Sequence, residues 1–401
     1  MFNSLKFKVI FFGFIFTFFS SFGQSYFLGL FNSSIRETLS ITHGQFGSIY
    51  ASATLCSIIL LIWVGKKIDD VNVFKFALFV TILLSFACFF FSKISSVLLL
   101  FIAIFLMRFS GQGMMSHTAS TTISRYFTKT RGRALSISWF GLSSAEFILP
   151  VLMVYLLTLI DWQNLWLIFS ITVLVVLPIV SFLLIKNLNL DSRETQDENI
   201  KEAEIKQWRR RDVIKDYRFY IISLNMLAMP WIFTGFAVFQ SFVQSSKGWG
   251  PYVIAQSFMS YSILSVVTLF VSGFLIDKFT SRKLLIFMNI PLLLSVIVLY
   301  YFDSPITAFV FLGLVGISNG FANILGSSTW AELYGVKYIG SIKALTTALM
   351  VFATAFGTAL FGFLIDIGFT IGDISIVSGI YIFVSLILLF LIRKRLNPIL
   401  I

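Results

Sequence analysis

Twelve apolar runs take up most of this 401-residue chain, and the charged residues lie almost entirely between them. The runs read as Val9–Phe31, Gln45–Val64, Val73–Phe91, Val97–Ala119, Ala134–Thr158 and Leu165–Ile185, then Phe219–Val243, Tyr252–Ile276, Leu284–Phe302, Ile306–Ser327, Ala344–Ile365 and Ile374–Ile392. A helix needs roughly 17–25 residues to cross a bilayer. Helices are the open-chain option there, because hydrocarbon cannot satisfy a free backbone N–H or C=O. Only 12% of residues are charged, against about 25% in a soluble domain. The expected fold is an all-α membrane protein of twelve transmembrane helices. Lys6 and Lys8 ahead of the first run resemble a signal peptide, but the run is too long and no small-x-small cleavage site follows, so it is expected to be the first helix.

Basic residues give the expected orientation. Numbering the loops alternately, 26 of the 30 Lys and Arg fall on the side of the N-terminus and three, Arg36, Lys93 and Lys247, on the other. Basic loops stay cytoplasmic, which puts both termini in the cytoplasm. The net charge of +12 follows from this sorting. It does not point to nucleic acid, since the basic residues are spread over seven segments. Cys56 and Cys88 both fall within runs and read as small apolar residues, with no metal pattern and no disulfide. No cofactor is expected.

The longest loop, Lys186–Arg218, divides the runs six and six. The expected domains are an N-terminal bundle at residues 1–185, a cytoplasmic linker at 186–218 and a C-terminal bundle at 219–401. Within the linker, Ile200–Arg218 has helical spacing and sets Trp208 beside Arg209, Arg210 and Arg211. That stretch reads either as a helix lying on the membrane face or as a solvated linker. The halves share a pattern. Gly65-Lys-Lys-Ile-Asp69 follows the second run, and Gly273-Phe-Leu-Ile-Asp277, continuing to Arg282 and Lys283, follows the eighth. Arg131-Gly-Arg133-Ala-Leu follows the fourth run, and Gly340-Ser-Ile-Lys343-Ala-Leu follows the tenth. Two matches at nearly one offset, in equivalent loops, point to a parallel internal repeat.

On these motifs the chain resembles the major facilitator superfamily over its whole length. The second motif copy fits the family's Gly-x-x-x-Asp-Arg/Lys signature well; the first keeps Gly65 and Asp69 but lacks the basic tail. The resemblance implies that Gly65, Asp69, Gly273, Asp277 and Arg282 gate the cytoplasmic side. Phe22-Gly-Gln24-Ser-Tyr26, Arg108-Phe-Ser-Gly111-Gln112-Gly113, Asp161-Trp-Gln-Asn-Leu-Trp166 and Ala331-Glu332-Leu-Tyr-Gly335 resemble the organic-anion branch, which includes monocarboxylate and oxalate/formate carriers. The Gly-Pro pair that marks drug/proton antiporters in the fifth helix is missing from Gly141–Pro150.

Two charges remain mid-run: Arg108 in the fourth and Glu146 in the fifth. An unpaired charge at mid-bilayer costs about 2.5–3.5 kcal/mol, and such residues usually serve function. The bland alternative is a static ion pair locking the two helices. Arginine stays charged, and its planar fork matches a carboxylate, so Arg108 is the expected anion-binding group. Low dielectric favours the neutral carboxyl, so Glu146 is a candidate proton carrier, expected to pair with Arg108 while the site is empty. Further candidates for substrate contact are Gln24, Tyr26 and Gln112, with Gln112 one turn after Arg108. Asn225, Trp231 and Gln240 are candidates in the seventh run, and Asn319 and Asn323, one turn apart, in the tenth. The positions equivalent to the two charges, Ser318 and Phe356, are uncharged, which predicts charge in the N-half and neutral hydrogen bonding in the C-half. His117 reads as an interhelical packing residue, Gly313, Gly316 and Gly320 as packing notches, and the 48 Phe mostly as lipid-facing bulk.

The expected function is secondary transport of a small carboxylate by alternating access, coupled to protons. The expected partners are that substrate, the proton and the lipid bilayer, in a monomer of the cell membrane (the inner membrane if bacterial). The alternatives are a drug or neutral-solute exporter and a polytopic enzyme or sensor. An enzyme would need clustered His, Asp or Cys, whereas the two histidines, His43 and His117, lie far apart, and no phosphate-binding loop occurs.

Overall fold

The computed structural model describes residues 5–127, 130–186, 206–335 and 337–397, without the side chains of Asp69, Arg131, Asp277 and Ser327. Twelve helices among the described residues are long and apolar enough to cross a membrane. They are α1 (Leu5–Gly23), α2 (His43–Ile68), α3 (Val73–Ser92), α4 (Val97–Tyr126), α5 (Gly132–Leu156), α6 (Trp162–Ile185), α7 (Tyr217–Val238), α8 (Val253–Ile276), α9 (Ser281–Tyr301), α10 (Ile306–Tyr334), α11 (Ile339–Asp366) and α12 (Ile371–Arg395). No strand occurs among the described residues. Polar side chains satisfy the first N–H groups where helices leave the loops. Thr42 and Gln45 form a capping box on α2, Asn72 and Ser96 cap α3 and α4, and Thr370 and Asp373 box α12.

The chain divides into two compact units, Met1–Glu198 and Asn199–Ile401. In the first, α1 packs on α5, α2 on α4 and α3 on α6; in the second, α7 packs on α11, α8 on α10 and α9 on α12. The second set is the first shifted by six helices, so the repeat read from short motifs extends to the packing scheme. Between α8 and α10 the contact is backbone to backbone. A Cβ on Gly316 would run into the Tyr261 carbonyl, and one on Gly320 into that of Ser265. Small residues allow such approach, and close packing replaces the hydrophobic drive that lipid does not supply.

Two irregularities interrupt the first unit. The α-helical part of α1 ends at Ser20, tightens into a 3-10 turn at Ser21–Gly23, and gives way to extended backbone at Gln24 (φ −82°, ψ 150°) before short helical turns resume at Ser25. Opposite it, α4 widens into a π-helical stretch at Arg108–Met115. The two meet. A Cβ on Gly23 would strike the Met107 carbonyl and the Gln112 N–H, and one on Gly111 would strike the Gly23 backbone. Phe22, Phe27 and Phe31 hold the broken segment from the other side, each against the buried Trp166 of α6. These phenylalanines are core, not lipid-facing bulk, because interrupted backbone needs protein around it.

The linker also departs from expectation. Ile200–Ile205 lies outside the described residues, and from Lys206 the chain is irregular apart from one turn at Arg210–Val213. Trp208 is buried in the second unit's core with Trp330 and Tyr334, and its backbone N–H donates to the Tyr334 carbonyl at 2.9 Å. Asp216 and Arg218 form a buried ion pair at 2.7 Å, and the Tyr334 hydroxyl donates to Asp216 at 3.2 Å. The described part of this segment is therefore packed into the unit, with Trp208 edge-on to the Tyr334 ring at 5.3 Å.

Gly316→Leu is expected to part α8 from α10 and Gly23→Ala to part α1 from α4. Each should lower the melting temperature of the detergent-solubilised protein, overpacking costing about 1–3 kcal/mol. Gly340→Ala, where an added Cβ meets nothing within 4 Å, should leave it unchanged. Melting curves for Gly316→Leu and Gly23→Ala that overlay the wild type would show that neither close approach matters.

Candidate functional site

Arg108 opens the π-helical stretch of α4 and is 3% exposed. Its Nη1 donates to the Gly23 carbonyl at 3.0 Å and to the Ser25 hydroxyl at 3.3 Å. The Tyr50 hydroxyl from α2 donates to the same Ser25 oxygen at 3.0 Å, and the guanidinium sits 5.4 Å from the Tyr50 ring centroid. The break in α1 turns the Gly23 carbonyl out of the helical ladder, and the charged donor satisfies it. Cation–π attraction to Tyr50 adds to the hold. One edge of the fork is buried and unpaired: Nε has no partner, and among the described residues no hydrogen bond reaches Nη2.

Glu146, in the middle of α5, is 8% exposed and has no hydrogen bond or ion pair among the described residues. It lies near enough to the buried Tyr26, just past the break in α1, for charge and hydroxyl to interact. It does not pair with Arg108; no ion pair within 4.0 Å joins them. The expectation of an empty-site pair is corrected on this point. Matching depth on neighbouring helices is not enough, because the broken segment of α1 supplies Arg108 with closer oxygens. Arg108 instead addresses that segment, at Gly23 and Ser25.

Gln24 is the extended residue of the break itself, and Gln112 borders it through its backbone N–H; both side chains are half-buried. Helical-wheel spacing stacks Gln112 over Arg108, but the i→i+5 ladder of a π-helix changes that register. His117 makes the interhelical contact expected of it, its Nε2 lying 3.0 Å from the Gly65 carbonyl.

In the second unit, α7, α9, α10 and α11 surround a cavity of about 150 Å³. Asn319 and Asn323 both line it, and Asn319 donates to Ser265 at 2.9 Å. The seventh-run candidates do not reach it. Asn225 donates to Ser385 at 3.4 Å, and its carbonyl accepts from Asn289 at 2.6 Å. Trp231 packs among Phe356, Phe361 and Tyr381. Gln240 donates to the Ala237 carbonyl at 3.0 Å and lines a separate, smaller apolar pocket. The face of α7 that lines the cavity carries Ser223, Met226, Pro230 and Phe233. Those positions recur at three- and four-residue steps, one stripe of a helix. Counting from Pro230 finds that stripe, and Asn225 and Trp231 lie off it on either side.

The motif residues are placed unevenly. An added Cβ on Gly65 would come no closer than 3.4 Å to His117, and on Gly273 no closer than 3.9 Å to Ile324. Neither glycine sits at a backbone crossing here; Gly23, Gly111, Gly141, Gly316, Gly320 and Gly357 do. The side chains of Asp69 and Asp277 lie outside the description. Arg282 donates to the Leu396 carbonyl at 3.3 Å. The anion at the N-terminus of α9 is Glu332, which accepts from the Ser281 N–H at 2.9 Å and the Arg282 N–H at 3.4 Å.

A family model described as Major Facilitator Superfamily matches residues 13–358. No curated protein matches the chain in sequence. Among solved structures, the chain is similar to a bacterial homologue of the human lysosomal transporter Spinster, inward-facing and unoccupied, at 13% identity and TM-score 0.72 over 98% of each chain. It is also similar to the nucleoside transporter NupG, at 14% identity and TM-score 0.71 over 98% of this chain and 99% of the other. At such identities the likeness is one of fold. Twelve helices in two repeats of one packing scheme, with a family match over most of the length, give one conclusion: the chain is a multi-pass membrane transporter that belongs to the Major Facilitator Superfamily.

Proposed function

We propose that this transporter is secondary active and carries a small organic anion, a carboxylate, by alternating access, with the proton as coupling ion. The observation that carries this reading is the state of Arg108. Its Nη1 is tied to Gly23 and Ser25 while the Nε–Nη2 edge has no hydrogen bond among the described residues. A carboxylate matches that edge with two parallel hydrogen bonds, and anchorage on one side prepays the ordering of a long side chain.

Glu146 supplies the proton site in this reading. A buried carboxylate without a partner costs several kcal/mol, a cost that protonation removes. Substrate on Arg108 and a proton on Glu146 then act on one element, the broken segment of α1. A ligand shifts a conformational equilibrium only through differential affinity for its states, and an interrupted helix offers two arrangements to bias. Gly65, Asp69, Gly273, Asp277 and Arg282 hold the cytoplasmic side in the outward-facing state. The sorting of basic residues supports cytoplasmic termini and residence in the cell membrane (the inner membrane if bacterial), and the protein acts as a monomer.

In proteoliposomes, carboxylate uptake is expected to rise with an imposed inward proton gradient. Arg108→Lys keeps a donor for Gly23 but loses the fork, and should cut uptake about 10- to 100-fold, the weight of a charged hydrogen-bond pair. Glu146→Gln should retain carboxylate exchange and lose its response to the gradient. Wild-type uptake indifferent to the gradient would sink the coupling. Undiminished uptake by Arg108→Lys, or uptake confined to cationic or neutral solutes, would sink the anion role.

A further inference from the structure

Two hydrogen bonds hold Arg108, and both leave the same nitrogen. Nη1 donates to the Gly23 carbonyl at 3.0 Å and to the Ser25 hydroxyl at 3.3 Å. Bonds that share one atom fix where that atom lies. They do not by themselves fix the guanidinium plane, and Nε has no partner to stop it turning. Bidentate recognition of a carboxylate depends on that plane, and a binding group must be held within about 10–20° of its productive angle. The missing restraint comes from Tyr50 of α2, which is 1% exposed and whose ring centroid lies 5.4 Å from the guanidinium carbon. A cation within about 6 Å of a ring centroid is attracted to the face of the ring. Tyr50 is itself pinned. Its hydroxyl donates at 3.0 Å to the Ser25 oxygen, the same oxygen that accepts from Arg108. A serine hydroxyl has two lone pairs; Tyr50 and Arg108 fill both, and its proton points away from the cation. Phe46, one turn earlier on α2, sets a second ring 6.3 Å from that of Tyr50.

We propose that Tyr50 is a positioning residue of the anion site: its ring sets the plane of the Arg108 fork, and its hydroxyl, through Ser25, sets the ring. The proposal rests on the reading of Arg108 as the anion-binding group. Tyr50 touches no substrate in it and acts through Arg108. The helix that carries Tyr50 also carries Gly65, whose carbonyl lies 3.0 Å from Nε2 of His117 on α4. Thus α2 is joined to α4 at Gly65 and, by way of Tyr50, at Arg108. A shift of α2 that breaks the Tyr50 contacts leaves the fork free to turn and weakens the hold on a carboxylate. The orientation of the anion site therefore follows the position of α2.

Fluorine on a ring drains the negative charge of its face with little change in the ring's size, so it weakens cation–π attraction and leaves a packing role in place. The test is Tyr50→Phe in the full-length protein, followed by mono-, di- and trifluorinated phenylalanines at the same position. Two quantities are read: KM and maximal rate of carboxylate uptake into proteoliposomes, and the melting temperature in detergent. Tyr50→Phe should raise KM about threefold through the lost hydroxyl bond, and the trifluorinated ring about tenfold more, with the maximal rate unchanged. The melting temperature should fall along the fluorinated series when Arg108 is present and stay level in Arg108→Gln, which has no cation to lose. A KM that stays level along the series while Arg108→Lys cuts uptake overturns the proposal, and so does a melting temperature that falls equally with Arg108 present and in Arg108→Gln. If the melting temperature follows fluorination only when Arg108 is present, yet Arg108→Lys leaves carboxylate uptake undiminished, the hold of Tyr50 on Arg108 stands and the carboxylate reading falls.

Discussion

A carbonyl that leaves a helix inside a membrane protein needs a donor from the protein itself, and in this chain that donor is Arg108. The first helix stops at Gly23, turns through an extended residue and starts again at Ser25. Lipid tolerates no such interruption unless protein surrounds it. Gly111 lets the π-helical stretch of α4 touch Gly23 backbone to backbone, Arg108 reaches the freed carbonyl, and an aromatic group around Trp166 closes the other side. Each part is needed by the others. The break needs the charge, the charge needs the carbonyl, and the approach needs two residues without side chains.

The two units answer the same packing scheme with different chemistry. The first ties a fixed positive charge to the broken segment and carries an unpaired carboxyl on α5. The second keeps the helix pairings six places along and has neither charge. Its cavity is soft and neutral, and its Asn319 and Asn323 stand where the repeat leaves Ser318 in place of Arg108.

Much of the architecture was legible. Hydropathy located all twelve helices, because a bilayer imposes a minimum apolar length. The paired motifs revealed the repeat, and the shared pairing scheme follows it. Gly316 and Gly320 could be read as notches, since small residues spaced by four share one face. What was illegible had a common cause. The break at Gln24 lies within one long run whose average stays apolar, so hydropathy passes over it although Ser20-Ser-Phe-Gly-Gln-Ser25 is mostly polar. The π-helical register of Arg108–Met115 is set by the neighbour it packs on. Trp208 reads as a membrane-surface residue until Trp330 and Tyr334, more than 100 positions away, are seen to cover it.

The sequence by itself determined that this chain is a twelve-helix membrane protein with an internal repeat, and that Arg108 and Glu146 are its two mid-span charges. Those properties follow from transfer free energies, which each residue carries wherever it sits. Only the tertiary structure decided what the charges face. Equal depth on adjoining helices made an ion pair look natural, yet Arg108 turned to the Gly23 carbonyl. The physical reason is that hydrogen-bond geometry is settled within about 3 Å, a scale fixed by a bent backbone, a widened helix turn and two glycines in contact.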